Sequence, residues 1–467
     1  MPTKIRLLIA CCLLFGSGIP LYAQMGLNQK IDAIYADYED KPGAMVGIWK
    51  DGEVLFTKAY GQANLEHELA FTTTTTSDIG SVAKQLSCYA ILLLEREGQL
   101  SLDDDIRTYL SFVPDFGTPI TIRHLMTHTS GLREIYSTEQ VRGRRSGDAM
   151  FQEDVINMVR RQSGLNFTPG SQFMYCNTAY ALLAEIVEEV SSQPFERWMF
   201  EYVFEPLGMQ RTFIMDRQGE IFPQMAASYS LQPDSVYTKV YDNNTVRGQG
   251  GVYSCLEDMM NWIGHMAREW AAGSIVMEKM TEPAVLTDGD TLNYGKGLYV
   301  NTFRGLRRIF HSGSSAGYRS GLIYFPDDDL GVFVNVNAPN VPLYETLDLI
   351  TDFFLKDKME PIPPRSSTTA PTVQDKLEIP RANDSEWTGT YYSPELETTY
   401  FLLLEDGKLK GRHFRHGAFV LKRTGKDAFR SEQPFFPEIT FERNRQGRIT
   451  GFRLTTDRAV GMYFEKQ

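Results

Sequence analysis

Strand-like segments near both ends of the first 355 residues constrain the fold most strongly. Near the first end, the runs 44–49 and 54–60 flank Asp51-Gly52, a dipeptide typical of a β-hairpin turn. Near the second end, strand-like runs return at 298–300, 308–310, 320–325 and 331–336. The long stretch between them is mostly helical in pattern. The sequence therefore predicts an α/β (α+β) fold, in which an antiparallel β-sheet is flanked by helices and carries a helical insertion.

Further segments complete the predicted organisation. Amphipathic patterns indicate helices over 26–40, 179–190 and 343–355, and Ser254 followed by Glu257 predicts a capping box at the head of another helix. Residues 356–384 are rich in Pro, Ser and Thr and are interpreted as a linker. Over 385–467, short strand-like runs alternate with turns, which predicts a small C-terminal all-β domain.

The N-terminus has the features of a secretory signal peptide. Lys4 and Arg6 precede an apolar run over 7–19, and Ala23 offers a small residue at a cleavage point. We therefore expect a signal peptide over 1–23, a large domain over 24–355 and a periplasmic or secreted protein. The run before Cys11 is too short for a lipoprotein signal, so lipid anchoring is not favoured.

Composition excludes several classes of protein. The net charge is −12, and it becomes −14 once Lys4 and Arg6 are removed with the signal peptide, which argues against a nucleic-acid partner. No later segment is apolar for long enough to span a membrane. The three cysteines beyond the signal peptide are widely spaced and match neither a disulfide framework nor common zinc spacings, so we expect buried thiols. They are Cys88, Cys176 and Cys255.

A candidate nucleophile stands at the head of an apolar helical run. Ser81 and Lys84 form an S-x-x-K tetrapeptide in front of residues 85–95, which favour a helix. Side chains at i and i+3 lie on one face of a helix, roughly 5–6 Å apart at Cβ. A neutral lysine there can accept the serine proton, and a helix N-terminus favours the negative charge that develops during acyl transfer. The alternative is a capping serine followed by a solvated lysine.

Two further motifs carry groups suited to the same chemistry. Tyr175 and Asn177 form a Y-x-N in front of a helix, where a phenol can relay protons and an amide can orient a carbonyl or a lysine. His311-Ser312-Gly313 lies on or beside a strand, where a glycine lets a ligand approach the backbone closely. Taken singly, each motif is equally compatible with a structural tyrosine, asparagine or histidine.

A pair of histidines has helical metal-ligand spacing but lacks the rest of a metal site. His124 and His128 stand four residues apart, without the glutamate of H-E-x-x-H and without an evident third ligand. We predict no metal and no cofactor, and a structural role for this segment.

Taken in order, these motifs resemble those of the serine β-lactamase and penicillin-binding-protein superfamily. The resemblance covers roughly residues 27–355 and is nearest to the branch of class C β-lactamases, D-Ala-D-Ala carboxypeptidases, D-aminopeptidases and related esterases. It is carried by 79–84, 125–132, Y-C-N at 175–177 and H-S-G at 311–313, with 250–254 as a further similar segment. The C-terminal β domain resembles the lipocalin-like or barrel modules appended to some of these hydrolases.

The resemblance implies a role for each motif residue. Ser81 is the acylated nucleophile, and Lys84 and Tyr175 share the general acid–base work. Asn177 holds the substrate amide and the lysine, and His311 occupies the place of the lysine of K-T-G in many relatives. The oxyanion hole uses the backbone N–H groups of Ser81 and Ser314, with Gly313 allowing close approach. The predicted substrate-binding residues are thus Asn177, His311, Gly313 and Ser314.

The third motif favours some of the activities that the resemblance implies over others. His311 in place of lysine favours a carboxypeptidase, aminopeptidase or esterase acting on D-amino-acid peptides or small esters. A class C-type β-lactamase and a catalytically silent penicillin-binding-like protein are the alternatives. A class A β-lactamase fits less well, because the second motif is Y-C-N and not S-D-N. The expected partner is a small-molecule or peptide substrate.

Overall fold

A computed structural model describes residues 21–361 and 384–467 of the chain. The predicted signal peptide lies almost wholly outside these ranges, and so does most of the predicted linker. The α-helices within the described ranges are α1 (Leu21–Ile34), α2 (Lys84–Arg96), α3 (Ile122–Met126), α4 (Ile135–Arg142), α5 (Gln152–Arg161), α6 (Asn177–Ser191), α7 (Phe195–Met199), α8 (Leu256–Ala271), α9 (Ile275–Thr281) and α10 (Leu343–Leu355). None of the helices in the described part of the chain has the length and apolar character needed to cross a membrane.

The strands fall into two groups along the chain. The first group is β1 (Ala44–Lys50), β2 (Glu53–Tyr60), β3 (Gln62–Asn64), β4 (Leu69–Ala70), β5 (Ser77–Asp78), β6 (Phe213–Ile214), β7 (Ser228–Leu231), β8 (Tyr237–Val240), β9 (Val252–Ser254), β10 (Tyr299–Phe303), β11 (Leu306–Ser315), β12 (Tyr318–Phe325) and β13 (Leu330–Val336). The second group is β14 (Gly389–Ser393), β15 (Thr398–Glu405), β16 (Lys408–His413), β17 (Gly417–Val420), β18 (Lys422–Arg423), β19 (Ala428–Arg430), β20 (Glu438–Arg443), β21 (Ile449–Thr455) and β22 (Met462–Lys466).

The central sheet joins the two ends of the first region, as predicted. Its order is β10-β11-β12-β13-β1-β2, and β1 pairs antiparallel with both β13 and β2. Val46 of β1 lies opposite Val334 on one side and Lys58 on the other. Every residue of β1 except Lys50 is buried, because helices cover both faces of the sheet, which explains the unbroken apolar run in its sequence.

Two apolar cores lie on opposite faces of this sheet. One core packs α2, α6 and α8 with the loops of the helical insertion, and its largest fully buried side chain is Trp262. The other packs α1 and α10 against β1, β12 and β13. The insertion between β5 and β10 places α2 and α6 beside β11, and the motif residues lie at this junction.

The C-terminal region is a separate, barrel-like all-β unit, which confirms that prediction. Nine antiparallel strands run in the order β17-β16-β15-β14-β22-β21-β20-β19-β18, and the edge strands β17 and β18 are separated in sequence by Leu421 alone, so the sheet nearly closes. Its core is aromatic, built from Trp387, Tyr391, Tyr400, Phe436, Phe452 and Phe464. Strand-like runs at 400–404, 418–421, 439–442, 448–454 and 461–464 coincide with β15, β17, β20, β21 and β22, whereas β14, β16, β18 and β19 are additional.

Two predicted helix starts were wrong in detail. The first helix begins at Leu21 and ends at Ile34, earlier than the predicted 26–40. The predicted capping box at Ser254 does not form: Ser254 ends β9, and its hydroxyl lies 2.8 Å from that of Thr212. Cys255 takes the N-cap position of α8 without a side-chain hydrogen bond. The hydroxyl of Ser254 pairs with Thr212, a side chain distant in sequence, and not with the backbone N–H groups at the start of α8.

Candidate active site

Ser81 lies in a tight turn that leads directly into α2. The turn is a 3-10 segment over Gly80–Ala83, and Gly80 adopts φ +52°. A Cβ atom on Gly80 would lie 2.6 Å from the backbone nitrogen of Ser314 on β11. The absence of a side chain at Gly80 therefore allows the Gly80–Ala83 turn, which carries Ser81 and is called the nucleophile turn below, to approach β11 closely.

Lys84 is completely buried behind Ser81. Its Nζ lies 3.0 Å from Ser81 Oγ, 2.9 Å from Asn177 Oδ1 and 2.6 Å from the carbonyl oxygen of Gln249. Burial lowers the pKa of Lys84 to about 7, although the carboxylate of Glu134 acts in the opposite direction. The neutral amine can donate to Asn177 and Gln249 while its lone pair accepts the hydroxyl proton of Ser81. The geometry thus supplies a base for the serine.

Tyr175 completes the group around the nucleophile. The Ser81 side chain is close enough to act on the Tyr175 phenol, and Lys84 Nζ lies 5.0 Å from the centre of the Tyr175 ring. Burial raises the pKa of the Tyr175 phenol, so the phenol keeps its proton at neutral pH. In this state Tyr175 is a proton donor, and Lys84 is the better placed base.

Asn177 is the first residue of α6 and uses both ends of its amide. Its Oδ1 accepts from Lys84, and its Nδ2 donates to Glu134 Oε1 at 2.8 Å. Glu134 is fully buried, and its second oxygen accepts from the backbone N–H of Ser137 at the start of α4. Asn177 therefore holds the lysine and connects it to a buried carboxylate that no sequence motif had indicated.

His311 lies on β11 and is buried as a neutral imidazole. Its Nδ1 lies 2.7 Å from the carbonyl oxygen of Ser312, and its Nε2 lies 3.3 Å from the hydroxyl of Tyr294. Burial, together with the nearby Lys84, lowers the pKa of His311 to about 3. The side chain consequently brings no positive charge to the place where many relatives carry a lysine.

Two other histidines, His124 and His128, hold the backbone around the site. His128 adopts φ +58°, and its Nδ1 accepts from the backbone N–H of Cys176 at 3.0 Å. Its ring packs against that of Tyr175 at an interplanar angle of 36°, with the centroids 4.2 Å apart. His124 accepts from the backbone N–H of Thr121 in a capping box at α3. The helix ends at Met126, so the two histidines do not share a helical face.

β11 places the predicted oxyanion donor beside the nucleophile. A Cβ atom on Gly313 would lie 2.1 Å from the carbonyl oxygen of Ile79, so only glycine permits this approach. Ser314 follows, and it lines a cavity of about 260 Å³ together with Ser81 and Asn177. The structure therefore brings all seven predicted site residues to one place. A larger groove of about 720 Å³ between α8, α9 and β10 contains none of them.

A buried carboxyl group, Asp78, lies behind the turn that carries Ser81, with the half-buried Asp242 as its neighbour. Asp78 Oδ1 accepts from the backbone N–H of Gly80 at 2.7 Å, its Oδ2 is buried without a hydrogen-bond partner, and Asp242 lines the cavity. Burial and the neighbouring Asp242 hold the pKa of Asp78 well above its usual range. A proton on Asp78 relieves the repulsion from Asp242, and the sequence carried no signal for this pairing because the residues are far apart in the chain.

Within the described residues, no group of three His, Cys, Asp or Glu side chains is arranged to hold a metal ion. Cys88, Cys176 and Cys255 are buried and free, as predicted.

Comparisons with known proteins agree with the site geometry. The family model described as Beta-lactamase matches residues 31–352. A D-aminopeptidase of Gluconobacter oxydans is 26% identical over 298 residues, which cover 63% of this chain and 56% of the relative. A D-aminopeptidase of Brucella ovis is 26% identical over 413 residues, covering 87% of this chain and 74% of the relative. The chain thus spans about half to three quarters of the length of these relatives.

A solved structure resembles the fold over nearly the whole chain. The octameric penicillin-binding protein homologue from Pyrococcus abyssi superimposes with a TM-score of 0.62 at 23% identity, covering 95% of this chain and 99% of that one.

Proposed function

The chain belongs to the Beta-lactamase family, and on that premise we propose that it is a serine hydrolase in which Ser81 is transiently acylated by an amide or ester substrate. The observation that carries the proposal is the buried Lys84 amine, 3.0 Å from Ser81 Oγ and with a pKa of about 7. A base of that pKa is half neutral at neutral pH, close to the optimum for general base catalysis.

The proposed reaction has two balanced halves. In acylation, the Ser81 proton passes to Lys84, Oγ bonds to the carbonyl carbon, and the oxyanion is held by the N–H groups of Ser81 and Ser314. The intermediate collapses as the leaving amine or alcohol takes a proton delivered through Tyr175 and Lys84. In deacylation, water attacks the acyl-enzyme, and the same groups return the proton to Ser81 Oγ. Each oxyanion donor typically contributes about 3–4 kcal/mol to lowering the barrier.

For the substrate, we propose small peptides or amides containing a D-residue, with short esters as a further class. The two D-aminopeptidase relatives support the first class. The neutral His311 supports a substrate without an essential carboxylate at that position, since a neutral imidazole attracts an anion far less than a lysine does. This favours aminopeptidase-like or esterase chemistry over a dedicated β-lactamase.

We also propose that the protein is exported. The support is the positively charged and then apolar sequence over residues 1–23. The mass of the mature protein, purified from cells that express the full chain, tests this proposal. Retention of the protein in the cytoplasmic fraction with an intact N-terminus would contradict it.

Covalent labelling tests the proposed nucleophile directly. The purified protein is incubated with a fluorophosphonate probe and with a fluorescent penicillin, alongside the variants Ser81→Ala and Ser274→Ala. Ser274 lines the distant groove and serves as the matched control. We expect labelling of the wild type and of Ser274→Ala, and none of Ser81→Ala. Absence of Ser81-dependent labelling by both probes would overturn the proposal.

A substrate panel then separates the classes. It compares a D-amino-acid amide, a D-Ala-D-Ala peptide, a p-nitrophenyl ester and a chromogenic cephalosporin. We expect the amide or the ester to be cleaved fastest. Preferential turnover of the cephalosporin would instead support a β-lactamase.

A further inference from the structure

A turn of the C-terminal domain is attached to the loop behind the active site. The turn connects β21 to β22 and contains Arg458 and Val460. The backbone N–H of Glu134 donates to the carbonyl oxygen of Arg458 at 3.2 Å, and Asn166 Nδ2 donates to the same oxygen at 3.1 Å. Asn166 Oδ1 accepts from the N–H of Val460 at 2.8 Å. The contacts that hold this turn therefore all engage its own backbone and do not depend on the Arg458 side chain.

The Arg458 side chain reaches the buried carboxylate of the site. Its Nη2 lies 3.6 Å from Glu134 Oε2. Glu134 Oε1 accepts from Asn177 Nδ2 at 2.8 Å, and Asn177 Oδ1 accepts from Lys84 Nζ at 2.9 Å. A continuous chain of polar contacts thus runs from the C-terminal domain through Glu134 and Asn177 to the lysine beside the nucleophile.

We propose that Glu134 is a positioning residue that couples Lys84, through Asn177, to Arg458 of the docked C-terminal domain. The inference rests on the proposed function, since it assigns to Glu134 and Arg458 the tuning of the base in that reaction. It also gives the C-terminal domain a role in catalysis, because Arg458 belongs to that domain.

The two charges act on Lys84 in opposite directions. The negative charge of Glu134 favours the protonated amine, whereas the positive charge of Arg458 opposes it. When the turn is docked, Arg458 partly cancels Glu134, and a larger share of Lys84 is neutral. When Arg458 is lost, the pKa of Lys84 rises and less neutral base is present at neutral pH. The other titratable groups that face Lys84 are Tyr175, Tyr180, Cys88, Cys176, His128 and His311.

Two substitutions test the coupling through shifts of opposite sign. Glu134→Gln keeps the shape and an acceptor for Asn177 but removes the negative charge. Arg458→Gln removes the positive charge and keeps the backbone contacts of the turn. The measurement is the rate of Ser81 labelling as a function of pH. We expect the midpoint of its acid limb to move to lower pH in Glu134→Gln and to higher pH in Arg458→Gln, each by about one unit.

Matched variants separate charge from structure. Arg458→Lys retains the charge, and its midpoint should stay near that of the wild type. Glu397→Gln removes another charge between the domains, from a residue paired with Arg142 and Arg161, and should not move the midpoint. A purely structural role would lower the rate at every pH and leave the midpoint in place. That result, or shifts of the same sign in both variants, would overturn the inference.

A direct titration of Lys84 distinguishes failure of the coupling from failure of the proposed function. The amine is followed by NMR in protein labelled at the lysine side chains, with Lys84→Arg providing the assignment. If Ser81 proves unreactive, opposite shifts of the Lys84 titration in the two charge variants would still support the coupling. If Ser81 reacts but the Lys84 titration is the same in all variants, the coupling is wrong and the serine hydrolase proposal stands.

Discussion

Burial acts on three ionisable side chains of the site and affects each one differently. It lowers the pKa of Lys84 to about 7 and that of His311 to about 3, and it raises the pKa of Tyr175. At neutral pH the histidine and the tyrosine are therefore both uncharged, and the lysine is the group that titrates. For the proposed reaction, this separation of pKa values favours Lys84 as the base of the free enzyme and Tyr175 as the proton donor.

The assignment predicts how Ser81 reactivity depends on pH. We expect the rate of fluorophosphonate labelling to rise with pH through about 7, because the neutral form of Lys84 is the reactive one. In Tyr175→Phe the rate should fall while the midpoint stays in place. The labelling rate is measured from reactions quenched at successive times, at pH values between about 5 and about 9. A midpoint that moves well above 8 in Tyr175→Phe would indicate that the tyrosine is part of the titrating base.

Asp78 carries a stability cost that depends on pH. Its folded-state pKa lies above its ordinary value, so its protonated form is favoured by the fold. Stability from this group is therefore complete below the unfolded-state pKa of about 3.9 and is lost as the pH rises towards the folded-state value. In Asp78→Asn the amide oxygen can still accept from Gly80, and the neutral side chain removes the repulsion from Asp242.

We therefore expect Asp78→Asn to raise the free energy of unfolding at neutral pH by about 1 kcal/mol or more. The gain should disappear below about pH 4. Denaturant unfolding at several pH values measures both quantities. Asp406→Asn, at an exposed turn, is the control and should change stability by less than about 0.5 kcal/mol. An equal gain at acidic and neutral pH would contradict the explanation.

At the level of strands and helices, the site depends on how closely β11 approaches the nucleophile turn. The hydroxyl of Ser320 on β12 donates to the carbonyl oxygen of Ile79 at 2.6 Å, and Asn335 Nδ2 on β13 donates to that of Asp78 at 2.9 Å. The sheet thus holds the backbone just before Ser81 by side-chain hydrogen bonds. Gly313 is the point of nearest approach.

A methyl group at Gly313 should separate these elements. The added Cβ would lie 2.1 Å from the carbonyl oxygen of Ile79 and 2.2 Å from Ser320 Oγ, so the strand or the turn must move. We expect Gly313→Ala to lower the rate of Ser81 labelling by about 100-fold, through loss of an oxyanion donor, and to cost about 1–3 kcal/mol of stability. Gly26→Ala, with no atom within 4 Å, is the control and should keep full labelling. Unchanged labelling in Gly313→Ala would contradict the proposed oxyanion hole.

Local sequence patterns predicted strands and helices well where the residues adjacent in sequence determine the conformation. Asp51-Gly52 forms the predicted turn between β1 and β2, with φ of +52° and +90°. The predicted helix 343–355 coincides with α10. The capping box at Ser254 failed because Thr212, distant in sequence, provides the partner of its hydroxyl. The short strands β18 and β19 were missed because two or three residues give no measurable alternation.

On the scale of the whole molecule, a buried ion pair joins the two regions. Arg133 Nε donates to Glu395 Oε1, and both side chains are about 5% exposed or less. Glu395 also accepts from the hydroxyl of Ser163 at 2.6 Å. Since Arg133 precedes Glu134, the same loop carries the ion pair and the coupling chain.

Removing one partner of this pair should strongly lower the free energy of unfolding. We expect Glu395→Ala to lower the free energy of unfolding by about 3–5 kcal/mol, because it leaves the Arg133 charge buried without its counter-ion. Denaturant unfolding gives the measurement. Glu405→Ala disrupts an exposed pair with Lys410 and should cost less than about 1 kcal/mol. Equal effects of the two substitutions would show that the interface contributes little to stability.

These contacts between distant segments mark the limit of what a sequence pattern can predict. The S-x-x-K, Y-x-N and H-S-G motifs identified Ser81, Lys84, Tyr175, Asn177 and His311, because the chemistry restricts which residue types can serve. Glu134, Arg458 and the pair of Asp78 with Asp242 follow no motif. Their contacts join positions 43 to several hundred residues apart, such as Asn177 with Glu134 and Asn166 with Arg458. Only the folded chain brings these charges together.

The three buried thiols give the protein built-in reporters of local opening. Burial raises the pKa of Cys88, Cys176 and Cys255 to about 12, and a thiol reacts with disulfide or alkylating reagents only as the thiolate. Each cysteine is therefore modified only when its surroundings open. Cys176 stands between Tyr175 and Asn177. Its rate of modification therefore measures how often the segment that carries these two side chains opens, without any introduced label.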